Sequence, residues 1–196
     1  MILPKPVPGG NTFRFPPANW KGSAMHILED YDRAALEVVL EESSDRDNPS
    51  VDEIHDLVRG TLTIAVVGMS RDPSKPARRI PSYLAAKGAD VIPVNPHADR
   101  ILGKQARKSL MDVTEPVDMV LVFRPSAEAG AVVRAAAARP DHPIIWLQEG
   151  IRSDEAAAEA RGQGRWVVQD LCLYKVHRAL GDTLRRAEGR GSAPPE

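Results

Sequence analysis

Leu62-Thr63-Ile64-Ala65-Val66-Val67-Gly68-Met69-Ser70-Arg71-Asp72-Pro73-Ser74-Lys75 is the stretch whose reading decides the fold. Its β-branched, apolar run stops at Gly68, small and polar residues follow, and a helix-compatible segment opens at about Ala77. Strand, glycine turn and helix in that order are how a doubly wound α/β sheet opens a phosphate-binding site. Gly68 lets the chain turn tightly at the strand's carboxyl end, and the next helix points free N–H groups at an anion.

Downstream the same unit repeats. A helix is expected from about Ala77 to Lys87, ending at Gly88, with Pro81 tolerated in its first turn. A strand follows from Ala89 to Val94, then Asn95-Pro96, then a weak strand near Gln105 to Lys108 beyond Gly103. Val117 to Phe123 reads as a strand buried on both faces, because Met119, Val120, Leu121 and Val122 form an unbroken apolar run. An alanine-rich helix covers Ala127 to Arg139, and Pro143 to Leu147 is another buried strand. A helix from Ser153 to Gln163 takes Ser153 as N-cap, and Trp166 to Gln169 is the last strand. Leu173, Val176, Leu180 and Leu184 stripe a closing helix. With right-handed crossovers this predicts an α/β, Rossmann-like doubly wound fold, a mainly parallel sheet with helices on both faces.

Upstream, the pattern predicts an N-terminal helical extension. Ile27, Leu28, Tyr31, Ala34, Ala35 and Val38 recur at three- and four-residue steps to about Glu42, and Ser43 to Pro49 is a polar break. Ser50-Val51-Asp52-Glu53 has the form of a capping box, Val51, Ile54, Leu57 and Val58 make an apolar face, and Gly60 sits at C′. Residues 1–24 hold Pro4, Pro6, Pro8, Pro16 and Pro17 beside Gly9 and Gly10, a composition that reads as a disordered arm. Phe13, Phe15 and Trp20 within it are candidates for docking, and Met25 is a candidate for the true start. The expected organisation is thus an arm over 1–24, helices over 25–59, the Rossmann-like domain over 60–180, and a helix end with a polar tail over 181–196.

Composition narrows the class. The 196 residues allow one domain with extensions, and a formal net charge of −1 offers no global field for nucleic acid or an anionic membrane. Any anion site must be local. No apolar run approaches the ~20 residues of a membrane span, and the proline-bearing start is unlike a signal peptide. With Cys172 the single cysteine, disulfides within the chain are ruled out, which fits the cytoplasm. His26, His55, His97, His142 and His177 are scattered without metal-ligand spacing, so no metal site is expected.

Function in such a sheet sits at the carboxyl ends of the strands. Those ends are Gly68-Met69-Ser70-Arg71, Val94-Asn95-Pro96, Phe123-Arg124-Pro125-Ser126 and Gln148-Glu149-Gly150-Ile151. A dinucleotide site wants G-x-G-x-x-G after the first strand and an acidic residue roughly 20 positions on. Here Ser70 and Pro73 stand at the later glycine positions, and the second strand ends in Asn95. Arg71, Lys75, Arg78 and Arg79 instead cluster past the first turn, which favours a phosphorylated nucleotide over NAD.

Several of these segments together resemble the stand-alone bacterial CoA-binding domain family, similar in fold to the nucleotide domain of the succinyl-CoA synthetase alpha subunit. The resemblance runs through Thr63 to Ser70 with Lys75-Pro76, Val91 to Pro96 with Ile101-Leu102-Gly103, Val117 to Arg124, Trp146 to Ile151, and Asp170 with Cys172. It covers about Val51 to His177. The resemblance implies that Gly68, Met69, Ser70 and Arg71 wrap the CoA diphosphate and that Lys75 approaches the nucleotide phosphates. Val94, Asn95 and Pro96 would flank the adenine or ribose. Phe123, Arg124 and Pro125 would line the pantetheine path, with Gln148, Glu149 and Gly150 toward its far end. In one segment the chain departs from the family, whose members often carry an aromatic where Gln105-Ala106-Arg107-Lys108 stand here.

Simpler roles stand beside these. Lys75, Arg78 and Arg79 also suit a solvated helix face, Asn95-Pro96 a strand end, Arg124 an ion pair with Glu128 one turn on, and Cys172 a buried apolar position. No nucleophile–base or acid–base pair emerges, and the catalytic histidine of the synthetases belongs to a domain for which this length leaves no room. The expectation is a non-catalytic protein binding CoA or an acyl-CoA, with no catalytic residue. The alternatives are an NAD(H)- or nucleotide-sensing regulator and a partner-dependent subunit of an acyl-CoA enzyme. A homodimer or a partner protein would use the N-terminal extension.

Overall fold

The computed structural model describes residues 30–181, so the arm with Phe13, Phe15 and Trp20, Ile27 and Leu28, and Leu184 with the polar tail lie outside the described residues. Five strands, β1 (Thr63–Val67), β2 (Asp90–Val94), β5 (Met119–Val122), β6 (Ile144–Leu147) and β7 (Val167–Val168), form one sheet in the order β2-β1-β5-β6-β7. Every pairing is parallel. The expected doubly wound α/β architecture is the one found. The helices are α1 (Asp30–Glu41), α2 (Val51–Arg59), α3 (Pro76–Ala86), α4 (Ser126–Ala137), α5 (Asp154–Gly162) and α6 (Leu173–Ala179).

Alternation along each strand explains the unbroken apolar runs. Ile64, Val66, Met119, Leu121, Ile144 and Trp146 pack on one face with Leu36, Ile54, Leu84 and Val176 from α1, α2, α3 and α6. Ala65, Val67, Val120, Val122, Ile145 and Leu147 pack on the other with Ala129, Val133, Ala156 and Ala160 from α4 and α5. Burying one such side chain is worth ~1.5–3 kcal/mol, so a strand covered on both faces favours an apolar residue at every buried position. Trp146 is fully buried, and its indole N–H donates to the Leu171 carbonyl at 2.7 Å.

Several local expectations need correction. The buried face of α1 is Leu36 with Val39 and Leu40, whereas Val38 is 63 % exposed. Both stripes have helical spacing, and the one carrying leucines removes more apolar area from water. Ser50 and Glu53 do form the capping box of α2, but Gly60 has φ −83° and is an ordinary helical C-cap. Ser153 stands at the N-cap of α5 without a side-chain capping bond. The strand expected over 105–108 is only a two-residue hairpin, β3 (Arg100–Ile101) with β4 (Lys104–Gln105), followed by a single bridge from Arg107 to Val94. Arg107 donates to the Pro93 carbonyl and accepts from the Asn95 N–H, both at 2.8 Å, on the outer side of β2. Pro93 turns its donor-less nitrogen to that side, which leaves a full ladder impossible there.

Pro81 lies inside α3 rather than in its first turn. It has no N–H to give the Ala77 carbonyl four residues back. That carbonyl accepts the Ser70 N–H at 3.1 Å instead, so the missing helix bond ties the turn after β1 to α3.

Candidate functional site

The strand order reverses between β1 and β5, since β2 lies on one side of β1 and β5, β6 and β7 follow on the other. An open α/β sheet leaves its crevice at this switch point, beyond the carboxyl ends of the strands. Gly68 and Phe123-Arg124 meet there. Gly68 has φ +84°, and a Cβ on it would lie 3.0 Å from Arg124 Cδ, 3.1 Å from the Phe123 carbonyl carbon and 3.2 Å from its oxygen. The glycine is therefore required twice, by its backbone conformation and by the approach of β5.

The turn after Gly68 is wound by its own side chains. Asp72 N–H donates to Ser70 Oγ at 3.1 Å, and the Asp72 carboxylate accepts both the N–H and the hydroxyl of Ser74, at 2.9 and 2.7 Å. These Ser74 bonds hold the Asp72 carboxyl below its ordinary range. Asn95 crosses from the end of β2: its Nδ2 donates to the Met69 carbonyl at 2.8 Å, and its Oδ1 accepts the His97 N–H at 2.8 Å. Asn95 thus joins two carboxyl-end segments, which gives it more than a strand-ending role. Among the described residues, the N–H groups of Met69 and Arg71 have no acceptor. Arg71, Lys75 and Arg79 are exposed, while Arg78 donates to Ser82 along α3. Arg71 also lies near Asp99, which the Lys108 ammonium and then Arg71 hold below the usual carboxylate range.

On the β5 side, Arg124 does form the ion pair with Glu128, its Nε donating to Oε2 at 3.0 Å while its stem lies over Gly68. Phe123 is half-buried against the core, and Pro125 is exposed at the N-cap of α4. At the end of β6, Gln148 is 3 % exposed and its Nε2 has no partner among the described residues. Glu149 and Gly150 are exposed beyond it. The structure therefore brings all four predicted segments to one edge of the sheet. Met69 and Val94 turn their side chains into the core, at 0 % and 2 % exposure, and present only backbone to that edge. Pro96 is exposed beside Asn95.

Two further residues shape this edge that the motifs alone did not assign. Asp170, at φ +50° after β7, accepts the Gly150 N–H on Oδ1 at 2.6 Å. Lys175 bridges Glu149 at 3.0 Å and Glu42 at 2.5 Å, and these carboxylates hold its ammonium well above the usual lysine range. The available signal was Asp170 itself, a short polar residue able to take the left-handed conformation after a strand. A groove of about 450 Å³ lies elsewhere, beside the amino end of β7, lined by Asp47, Glu53, Arg161 and Trp166 among others. Arg161 is committed there to Asp45 at 2.8 Å, and the four segments do not reach that groove.

The family model described as CoA binding domain matches residues 62–178. The chain belongs to this family. The match takes in the sheet, the switch point and all four carboxyl-end segments of this CoA-binding domain, and leaves α1 and α2 outside. An uncharacterized Bacillus subtilis protein, YneT, is 35 % identical over 130 residues, which is 66 % of this chain and 96 % of that one. An ADP-forming acetate–CoA ligase of Archaeoglobus fulgidus is 30 % identical over 100 residues, 50 % of this chain but only 15 % of the ligase. Among solved structures, a Thermus thermophilus protein is 38 % identical with a TM-score of 0.61, covering 65 % of this chain and 96 % of that one. A hypothetical protein of Pyrococcus horikoshii is 26 % identical with a TM-score of 0.65, over 71 % and 97 %. Among the described residues no helix is long and apolar enough to cross a membrane, and no group of three His, Cys, Asp or Glu side chains converges as a metal site.

Proposed function

We propose that the chain binds CoA or an acyl-CoA at the carboxyl ends of β1, β2, β5 and β6, as a binding protein rather than a catalyst. The observation that carries this is the Gly68 turn at the switch point, held against Phe123-Arg124 and followed by N–H groups at Met69 and Arg71 that have no acceptor among the described residues. Such N–H groups are fixed donors for a diphosphate. Ser70, Arg71 and Lys75 supply hydroxyl and charge on the same side, and Asn95 with Pro96 flanks the adenosine end. The residues present fit CoA in a second respect. The Gln148 amide, buried and without a partner among the described residues, would be met by a pantetheine carbonyl, and leaving such a group unmet costs about 1–3 kcal/mol. Phe123, Arg124 and Pro125 then border the arm, with Glu149 and Gly150 at its far end. Likeness to one segment of an acetate–CoA ligase supports the same ligand class. A buried lone thiol, Cys172, suits the reducing cytoplasm.

Calorimetric titration with CoA, dephospho-CoA and NAD tests this. CoA is expected to bind most tightly and NAD most weakly, because no acidic residue ends β2 to clamp a ribose. Tightest binding of NAD overturns the choice of ligand. Turnover of an acyl-CoA by the purified chain overturns the non-catalytic reading.

A further inference from the structure

The far lip of the cleft, Gln148 to Arg152, is held from outside the domain. Three residues of the turn after α1 reach it. Ser44 donates its N–H at 3.0 Å and its hydroxyl at 2.5 Å to Asp170 Oδ2, and the other oxygen of the same carboxylate takes the Gly150 N–H at 2.6 Å. Ser44 Oγ in turn accepts from Arg152 Nη1 at 2.7 Å. Its one hydroxyl proton is therefore committed to Asp170, so Arg152 donates to Ser44 and Ser44 to Asp170, and the Gly150 N–H donates to the same carboxylate from the other side. Glu42 meets Lys175 at 2.5 Å, and Lys175 reaches Glu149 at 3.0 Å. Asp45 Oδ1 lies 3.8 Å from Arg152 Nη2. Glu149, Gly150 and Arg152 are each tied in this way to the Glu42–Asp45 turn, directly or through one intermediary.

Asp170 and Gly150 both hold left-handed backbone, at φ +50° and +79°. The Asp170 N–H donates to the Ile151 carbonyl at 3.2 Å, so the two left-handed residues brace each other. A non-glycine residue in that region persists only when its surroundings over-determine it. The Ser44 bonds supply part of that determination, and Ser44 lies before Leu62, where the family match begins.

We propose that the Glu42–Asp45 turn is a positioning element of the cleft, with Ser44 acting through Asp170 to set the Gly150 N–H at its far lip. The consequence for affinity rests on the reading of the cleft as a CoA site; the positioning of the lip does not. Hydrogen exchange of the full chain, free and with CoA, is the test on Ser44→Ala and Ser44→Thr. In the free protein, Ser44→Ala is expected to speed exchange at Gly150 to Arg152 by about tenfold, one hydrogen bond's worth, while Val120 and Leu121 in β5 stay as they were. Ser44→Thr, which keeps the hydroxyl, is expected to restore protection. With CoA as probe, Ser44→Ala is expected to weaken binding about three- to tenfold. Unchanged exchange at the lip in Ser44→Ala overturns the proposal, and so does acceleration spread evenly over the sheet, which would mark a general loss of stability. A wild-type chain that binds no CoA, beside a Ser44→Ala variant that shows the local exchange response, supports the positioning and refutes the ligand. Unchanged CoA affinity beside a loosened lip refutes the link from turn to ligand.

Discussion

Gly68 and Gly150 both stand at positive φ on the edge of the cleft, and they separate two effects that a glycine can have. At Gly68 the conformation and the space both exclude a side chain, since two of the three nearest atoms belong to the Phe123 backbone and cannot swing away. At Gly150 nothing lies within 4 Å of the added atom, so only φ +79° resists it. Left-handed backbone costs an L-residue ~1–2 kcal/mol, and overpacking against backbone adds ~1–3 kcal/mol. Gly150→Ala is therefore expected to lower stability by about 1–2 kcal/mol and Gly68→Ala by roughly 2–5 kcal/mol, read as urea midpoints at constant slope. Equal losses would mean that β5 relaxes away from Gly68 at little cost. Gly68 was legible in the sequence because a strand, a glycine and a helix start stand in order. The approach of Arg124 to it was not, because nothing local links positions 68 and 124.

At the scale of elements, α3 shows how a local defect serves a distant loop. Pro81 leaves the Ala77 carbonyl free, and Ser70 takes it. Pro81→Ala restores the helix donor that competes for that carbonyl, and it removes a proline penalty of up to ~3 kcal/mol. The expected result is unchanged or raised thermal stability together with CoA affinity weakened several-fold. Stability and affinity rising together would show that Ser70 needs no such tie. Local pattern predicted every strand of the main sheet and helices α2 to α5 within a few residues, and the start of α6 but not its end at Ala179, because each carries its own periodicity. It could not see what polar side chains do at long range. The Ser43–Pro49 stretch read only as a break, yet Asn48 pairs with both the N–H and the carbonyl of Gln169 at 2.8 Å and seals the edge of β7. On α1, two stripes of helical spacing competed, and the choice between them depended on α2 and α6, which periodicity does not contain.

Across the whole molecule, the extension and the domain are joined by the buried Asp45 and the half-buried Asp170 carboxylates, and this carries a pH signature. Burial pushes the Asp45 carboxyl up, but hydrogen bonds from Arg161 and Gln169 outweigh it and hold the group below its ordinary value of 3.8. Asp170 behaves alike, with burial outweighed by bonds from Ser44 and Gly150. The unfolded chain takes up these protons first as pH falls, so their stabilisation is complete above about pH 5 and is lost as pH drops through the lowered folded values. Urea midpoints are expected to hold from pH 7 to 5 and to fall steeply below 3.8, the ordinary value of both groups. Asp45→Asn is expected to lower the midpoint at pH 7 and to flatten that fall; an equally steep fall would place the acid sensitivity in other groups. The central claim is that CoA lies across the switch point between β1 and β5, and amide chemical shifts of the isotopically labelled chain titrated with CoA test it most directly. The account predicts saturable shifts at Gly68, Met69, Ser70, Arg71, Asn95 and Arg124 and at the Gln148 side-chain amide. Shifts centred on Arg161, Arg165 and Trp166 beside the amino end of β7, or none at all, would contradict it.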